Sequence, residues 1–241
     1  MSKTFVLIHG SWHGGWAWQD VIHQLSREGH SAHAPTLAGH GPGATRLGIT
    51  HQDCVDSVVE CIHHYKLEDV VLVGHSFGGT IVQRVAEKVH DRIARMVFLD
   101  ALIVEDGHCV FDELPADYVT LFSMLAGASP DNSMLIPWEI WRDNFIQDAS
   151  ESVARSLWEQ LSPEPNQVNL AKLCLRLCLR DLKNWPTRSL KQALTDGLSL
   201  LLDSPPVRNR PGLTACGILL QDVHAKLPGR VHERGQTQDG L

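Results

Sequence analysis

The sequence predicts an α/β fold: a doubly wound, mostly parallel sheet with a helical cap insertion. Short apolar runs alternate with amphipathic stretches from residue 4 to residue 101, as in βαβ units. The run at 70–73 is wholly apolar, which is typical of a strand covered on both faces. Residues 106–165 lack a clear strand and hold three tryptophans, which indicates helices. We assign 1–105 and 181–241 to the core and 106–180 to the cap.

Each element of the core has its own local signal. Strands are short runs of β-branched and aliphatic residues bounded by turn residues, and helices carry apolar residues at helical spacing. A Gly- and Pro-rich loop at 36–50 separates two of the helices. Strand candidates are weaker in the last third of the chain. The predicted elements are strands at 4–8, 31–35, 69–74, 94–99, 197–202 and 217–221 and helices at 16–28, 51–66 and 78–88.

Composition and charge exclude several classes of protein. Of 241 residues, 43% are hydrophobic and 20% are charged, which is typical of a globular protein rather than a disordered one. The formal net charge of −7 argues against nucleic acid or an anionic membrane as partner. No apolar run approaches the ~20 residues that span a bilayer. The N-terminal apolar run is too short for a signal peptide, and the six cysteines form no CxxC pair. We therefore expect reduced thiols and a cytoplasmic protein.

The strongest motif is Gly74-His75-Ser76-Phe77-Gly78-Gly79. It matches G-x-S-x-G, with an apolar strand leading in and a helix leading out. In that context the glycines allow a sharp turn, which lifts the serine hydroxyl off the sheet at a helix N-terminus. Ser76 is therefore the predicted nucleophile. The alternative is a Gly-rich turn with an incidental serine.

A second motif, residues 9–16, follows the first strand and reads His-Gly-Ser-Trp-His-Gly-Gly-Trp. A turn there directs main-chain N–H groups at a developing oxyanion, and Ser11 and Phe77 are the predicted donors. Gly10 and Trp12 are the further oxyanion or substrate-binding candidates. A phosphate loop is disfavoured because neither G-x-G-x-x-G nor G-K-[ST] is present. No second ligand pair accompanies His9 and His13, so no metal site is predicted.

These motifs, together with residues 96–101 (Met-Val-Phe-Leu-Asp-Ala) and 105–107 (Glu-Asp-Gly), resemble the α/β-hydrolase fold. Within it, the sequence is similar to the esterase branch of plant methylesterases, related bacterial carboxylesterases and hydroxynitrile lyases. The resemblance covers residues 4–165 and includes Phe-Asp-Glu-Leu-Pro at 111–115. It implies a nucleophilic Ser76, a cap over the pocket, and a downstream Asp and His that complete a triad. It implies no cofactor.

The resemblance also restricts where the triad partners lie, because this fold orders them Ser, Asp, His along the chain. Asp196 follows a stretch at 186–189 that is similar to the family's entry to the acid, and Asp203 and Asp100 are alternatives. His224 lies at the spacing from Asp196 that the family pattern implies. His232 is the alternative base, in a Pro-Gly-Arg-Val-His-Glu stretch with one residue more than the family motif.

The match weakens after about residue 171, where the chain also changes from mainly acidic to mainly basic. A shift of reading frame near residue 172 is one hypothesis for both changes. Translation of the other two frames of the gene tests it: a Val- and Ile-rich strand, an Asp and a Gly-x-His are expected in one of them. A divergent but genuine tail is the alternative.

Three functions remain in competition. The first is hydrolysis of small to medium carboxylic esters, with a small-molecule ester as partner. The second is a ligand-binding protein that has lost its triad. The third is a hydroxynitrile lyase-like C–C lyase, which is disfavoured because Ala225, rather than the lysine of the family's lyases, follows His224. The oligomeric state is open, and a homodimer is considered.

Overall fold

Four parallel strands form the main sheet in the part of the chain that the computed structural model describes, residues 2–175. Their order across the sheet is β2-β1-β3-β4, so β1 pairs with both β2 and β3. The non-sequential order requires crossover connections, as the alternating pattern predicts. The strands are β1 (Thr4–Ile8), β2 (Ser31–His33), β3 (Val70–Ser76) and β4 (Ile93–Ala101).

Helices cover both faces of this sheet. In β3, Val70 and Leu72 belong to one buried cluster, and Val71 and Val73 belong to another. Successive side chains of a strand point to opposite faces, so a strand between two helical layers must be apolar throughout. The cluster around Val71 includes residues of one helix, and most helical residues of the cluster around Leu72 come from two helices. In chain order these helices are α1 (Gln19–Arg27), α2 (His51–His64) and α3 (Gly78–Val89).

The helix α2 begins at a reciprocal cap that the sequence encodes locally. The Asp53 main-chain N–H donates to the Thr50 hydroxyl at 3.3 Å, and the Thr50 N–H donates to the Asp53 carboxylate at 2.8 Å. This capping box satisfies two N–H groups that the first helical turn leaves without partners. It fixes where the loop from residue 36 ends.

A second layer lies beyond β4 in the chain and has its own buried cluster. The cluster includes Phe122, Trp141, Ile136 and Leu161, and Trp12 from the loop after β1 also belongs to it. Apolar residues of three of its helices are buried there rather than against the sheet, whereas Val168 of the fourth belongs to the cluster around Leu72. The elements of this layer are α4 (Ala116–Ala128), β5 (Ser133–Met134), α5 (Trp138–Asn144), α6 (Glu151–Trp158), β6 (Glu164–Pro165) and α7 (Asn166–Leu170).

The observed elements differ from the predicted ones mainly at their ends. β3 continues two residues past Gly74 and ends at Ser76, and a 3₁₀ turn at Gly15–Trp18 precedes α1. The antiparallel β5–β6 pair was not predicted, because two-residue strands carry no periodicity. The strands predicted at 197–202 and 217–221 and the core segment at 181–241 lie outside the described residues. The boundaries of core and cap therefore stay predictions.

No helix formed by residues 2–175 has the length and apolar character needed to cross a membrane. In the same part of the chain, the cysteines Cys54, Cys61, Cys109 and Cys174 are free thiols. Cys178 and Cys216 lie outside the described residues. A cytoplasmic location stays a prediction.

Two glycines in helices give a matched test of the packing between α3 and β4. A Cβ on Gly79 would lie 2.4 Å from the Leu102 carbonyl oxygen, whereas one on Gly127 in α4 would meet no atom within 4 Å. We expect Gly79→Ala to lower the free energy of unfolding by about 1–3 kcal/mol, because backbone must shift. Gly127→Ala should be neutral or raise it by up to about 1 kcal/mol. Urea unfolding measures both, and equal effects would contradict the packing described.

Candidate active site

Ser76 occupies a sharp turn between strand and helix. It is the last residue of β3, and α3 begins two residues later at Gly78. Its φ of 50° lies in the left-handed region, which is uncommon for a residue with a side chain and costs of order 1 kcal/mol or more. Both neighbours, His75 and Phe77, are buried, whereas Ser76 itself is half-buried. The serine is therefore held in a strained conformation between two anchored residues.

The glycine two positions before the serine is required by a close approach. A Cβ on Gly74 would lie 2.5 Å from the Gly78 carbonyl oxygen and 2.6 Å from a methyl of Val82. The end of β3 and the first turn of α3 thus touch main chain to main chain. This contact requires glycine at position 74, whereas glycine is required at position 78 because a Cβ there would lie 2.8 Å from the Ile8 and His9 carbonyl oxygens.

The loop after β1 lies directly against the serine. A Cβ on Gly10 would lie 2.9 Å from the Ser76 Cβ and 2.9 Å from Nδ1 of His75. Ser11 follows Gly10, and Phe77 follows Ser76. The predicted oxyanion donors, the main-chain N–H groups of Ser11 and Phe77, therefore each follow a residue that takes part in the contact between Gly10 and Ser76.

His9 joins this loop to the segment that follows β2. Its Nε2 accepts a hydrogen bond from the Leu37 N–H at 3.0 Å, so Nδ1 carries the proton and donates it to the Gly10 carbonyl oxygen at 2.9 Å. The imidazole is fully buried, and burial holds its pKa well below the usual value. His9 is therefore a neutral structural bridge between the two segments.

Trp12 has a conformation as unusual as that of Ser76. Its φ is 65°, and its side chain is 5% exposed. The indole makes edge contacts with Phe122 and Phe145, at centroid distances of 5.6 and 5.8 Å. Trp12 thus extends from the loop beside Ser76 into the cluster formed by α4 and α5. Its predicted contact with substrate stays a prediction.

Several imidazoles near the site are neutral at pH 7 because they are buried. Burial lowers the pKa of His75 to about 3 and those of His13 and His40 to about 4. The His13 Nδ1–H donates to the Ser11 carbonyl oxygen at 2.7 Å, and the His40 Nδ1–H donates to the Ala38 carbonyl oxygen at 3.0 Å. These side chains serve as uncharged donors to the main chain of the loops around Ser76.

Glu164 was not singled out from the sequence, and the structure places it under the loop after β1. It is fully buried, and its Oε2 accepts from the Trp12 main-chain N–H at 3.2 Å. Its Oε1 accepts from Asn169 Nδ2 at 2.8 Å, and the Ser11 hydroxyl also hydrogen-bonds the carboxyl. Burial raises the pKa of Glu164 to about 7 despite these donors. The only sequence signal is an acid between two prolines, which is weak.

Among the candidate acids, Asp100 lies within the described residues. It is half-buried near the end of β4, with a φ of 42°. The next residue, Ala101, pairs with Ser76, and the Leu102 N–H donates to the Ser76 carbonyl oxygen at 2.9 Å. Asp100 therefore lies at the same end of the sheet as the serine, one strand away.

The other predicted partners of Ser76 come after residue 175 in the chain. Asp196 and His224, and the alternatives Asp203 and His232, all lie outside the described residues. Within residues 2–175, no group of three or more His, Cys, Asp or Glu side chains is arranged to hold a metal ion.

The sequence matches the model of the alpha/beta hydrolase family over residues 5–225. The chain belongs to the alpha/beta hydrolase family. The sheet order and the strand–serine–helix turn agree with that assignment, and the fold predicted from the sequence is confirmed.

Relatives within the family come from the branch that the motifs indicate. The chain is 40% identical over 114 residues to a carbendazim hydrolyzing esterase of Nocardioides sp. (strain SG-4G), an alignment covering 46% of this chain and 47% of that protein. It is 31% identical over 182 residues to methylesterase 3 of Arabidopsis thaliana, covering 71% and 65%. The chain thus spans about half of the first relative and just under two thirds of the second.

One solved structure is similar to this chain both in sequence and over most of its length. It is an extracellular alpha/beta-hydrolase from a Paenibacillus species, described as sharing structural and functional homology with tobacco salicylic acid binding protein 2. It is 39% identical to this chain, covers 72% of each chain and has a TM-score of 0.69. The resemblance to plant methylesterases and bacterial esterases is therefore confirmed.

The buried imidazoles predict how stability depends on pH. An imidazole whose pKa is lower in the folded state binds protons preferentially in the unfolded chain, so stability falls as pH drops below about 6.5. Because the pKa of Glu164 is raised, its protonation stabilises the folded state as the pH falls from about 7 to 4.5. Glu164 is a single group, so it offsets only part of the effect of the imidazoles. The imidazoles with lowered pKa and deep burial are those of His9, His13, His40, His51 and His75.

We therefore expect the free energy of unfolding in urea to fall by at least about 2 kcal/mol from pH 7 to pH 5. His51→Gln should make this fall smaller, because Gln can still donate to the Thr80 hydroxyl, which His51 Nε2 contacts at 2.9 Å, but does not titrate. An unfolding free energy that is constant or higher at pH 5 would contradict the assignment of neutral imidazoles.

Proposed function

We propose that this chain is a serine hydrolase that cleaves small to medium carboxylic esters through an acyl-enzyme. The observation that carries the proposal is the strained Ser76 at the strand–helix turn, with the loop of Gly10 in contact with it. A tight turn of this kind presents a serine hydroxyl to a substrate carbonyl. The named activities of the esterase and methylesterase relatives support the same reaction class.

The proposed mechanism assigns a role to each candidate residue. Ser76 Oγ attacks the ester carbonyl carbon while a histidine, for which His224 is the candidate, takes the hydroxyl proton. The main-chain N–H groups of Ser11 and Phe77 donate to the negative oxygen of the tetrahedral intermediate. An aspartate, with Asp196 as the candidate, orients the imidazole and stabilises its charged form.

Collapse of the intermediate completes each half of the reaction. The histidine returns its proton to the leaving alkoxide, the alcohol departs, and the acyl group remains on Ser76. Water then attacks the acyl-enzyme, with the same histidine taking its proton, and the carboxylic acid and free serine are released. These steps consume one water molecule and need no cofactor.

The side chains beyond the sheet support an apolar substrate. The cluster that includes Trp12, Phe122 and Trp141 extends from the loop beside Ser76 into the helices α4 and α5. A helical layer rich in apolar and aromatic residues beside the loop favours esters whose acyl or alcohol part is hydrophobic. We therefore infer a substrate of small to medium size rather than a highly charged one.

Replacement of the nucleophile is the direct test. We expect hydrolysis of short-chain p-nitrophenyl esters by the purified protein and a fall of more than ~1000-fold in Ser76→Ala. Ser156→Ala, an exposed serine on α6, should keep the original rate. Equal rates for the Ser76 variant and the unchanged protein would refute the nucleophile.

A fluorophosphonate probe separates catalysis from binding alone. It should label Ser76 in the unchanged protein, because labelling needs an activated hydroxyl. A folded protein that binds ester analogues without labelling or turnover would be a ligand-binding member of the family instead. Cyanide release from mandelonitrile would favour the lyase.

The contact between Gly10 and Ser76 gives a second test. A Cβ at position 10 would lie 2.9 Å from the Ser76 Cβ, so Gly10→Ala must push the loop away from the serine. We expect kcat/KM to fall by ~100-fold, because small displacements of catalytic groups are that costly. Gly127→Ala is the matched control and should be unaffected. A Gly10 variant with full activity would exclude this loop from the reaction.

A further inference from the structure

We propose that Glu164 is a positioning residue for the loop formed by residues 10–12, on which the oxyanion-binding role of the Ser11 amide depends. This inference rests on the proposed function. Glu164 is the first residue of β6, far along the chain from that loop. Among residues 2–175 it is the only buried acidic side chain, and no step of the proposed mechanism uses it directly.

The carboxyl group of Glu164 is surrounded by hydrogen-bond donors. Trp12 donates its main-chain N–H to Oε2 at 3.2 Å, and Asn169 donates to Oε1 at 2.8 Å. The hydroxyl of Ser11 contacts the same carboxyl group. A buried carboxyl with this many donors has a defined position, because the loss of any one bond leaves a polar group without a partner.

The same segment of chain also holds the other side of Trp12. The Ser162 N–H donates to the Trp12 carbonyl oxygen at 2.8 Å. Residues 162 and 164 therefore bind both main-chain polar groups of Trp12, whose φ of 65° is disfavoured for a residue with a side chain. These hydrogen bonds offset that cost and hold the loop in one conformation.

The peptide unit between Ser11 and Trp12 is consequently fixed at both ends. Its carbonyl oxygen accepts from His13 Nδ1 at 2.7 Å, and its N–H donates to Glu164 at 3.2 Å. A planar peptide that is anchored at both ends cannot rotate. The Ser11 N–H belongs to the preceding peptide unit, which is joined to this one at the Ser11 Cα. The direction of the Ser11 N–H therefore depends on the same hydrogen bonds. Oxyanion stabilisation requires such preorganised donors.

Two variants of nearly equal size separate this role from simple packing. Glu164→Leu removes the acceptor and leaves the Trp12 N–H without a partner. Glu164→Gln keeps one carbonyl oxygen for Trp12, and the Asn169 amide can turn to offer its own oxygen to the new NH₂ group. Glu159→Leu replaces an exposed acid at the end of α6 and is the matched control.

The measurement is kcat and KM on a p-nitrophenyl ester, with the active sites counted by fluorophosphonate titration. We expect Glu164→Leu to lower kcat per titrated site by ~10- to 100-fold with KM within about threefold, because the lost interaction acts in the transition state. Glu164→Gln should lie within about fivefold of the unchanged protein, and Glu159→Leu should match it. Counting titrated sites removes the effect of misfolded protein.

Two results would overturn the inference: a normal kcat per site in Glu164→Leu, or equal losses in the Gln and Leu variants. If Glu164→Leu does not fold, Glu164→Met supplies a second apolar side chain of similar length, judged by the same criteria. If the unchanged protein shows neither ester turnover nor labelling, the proposed function fails, and this inference fails with it. Normal turnover in the unchanged protein together with an unaffected Leu variant defeats the positioning role alone.

Discussion

Three segments of the chain pack so closely around Ser76 that glycine is required where they meet. The end of β3 touches the first turn of α3 where a Cβ on Gly74 would lie 2.5 Å from the Gly78 carbonyl oxygen. The loop after β1 approaches the side chains of His75 and Ser76 through Gly10. This close packing forces the positive φ of Ser76 and brings the serine next to the loop that would hold an oxyanion. The proposed chemistry depends on this convergence.

The loop beside Ser76 depends in turn on residues from beyond the sheet. Its main chain is bound by Ser162 and Glu164, and the Trp12 indole packs against Phe122 and Phe145. The helical layer therefore does more than cover the sheet, because it also defines the conformation of residues 10–12. A change in that layer would reach Ser76 through this loop.

The imidazoles buried around the site are polar but uncharged. Buried His9, His13 and His40 each donate a ring N–H to a main-chain carbonyl oxygen, and burial keeps their pKa values low. Neutral donors can hold a loop without the desolvation cost of a buried charge. Burial also strengthens the interaction between main-chain N–H groups and a developing oxyanion.

The sequence alone determined the alternation of strands and helices, the serine turn and the loop after β1. Each strand, helix and motif is encoded by a run of contiguous residues, in which the chain itself fixes the sequence neighbours of Ser76 and Gly10. Only the tertiary structure revealed Glu164, because it lies 152 positions from Trp12 and no periodicity relates the two. The strands β5 and β6 were not predicted because each has only two residues and its partner lies far along the chain. Local patterns specify what a segment becomes, whereas contacts between distant segments depend on how the whole chain packs.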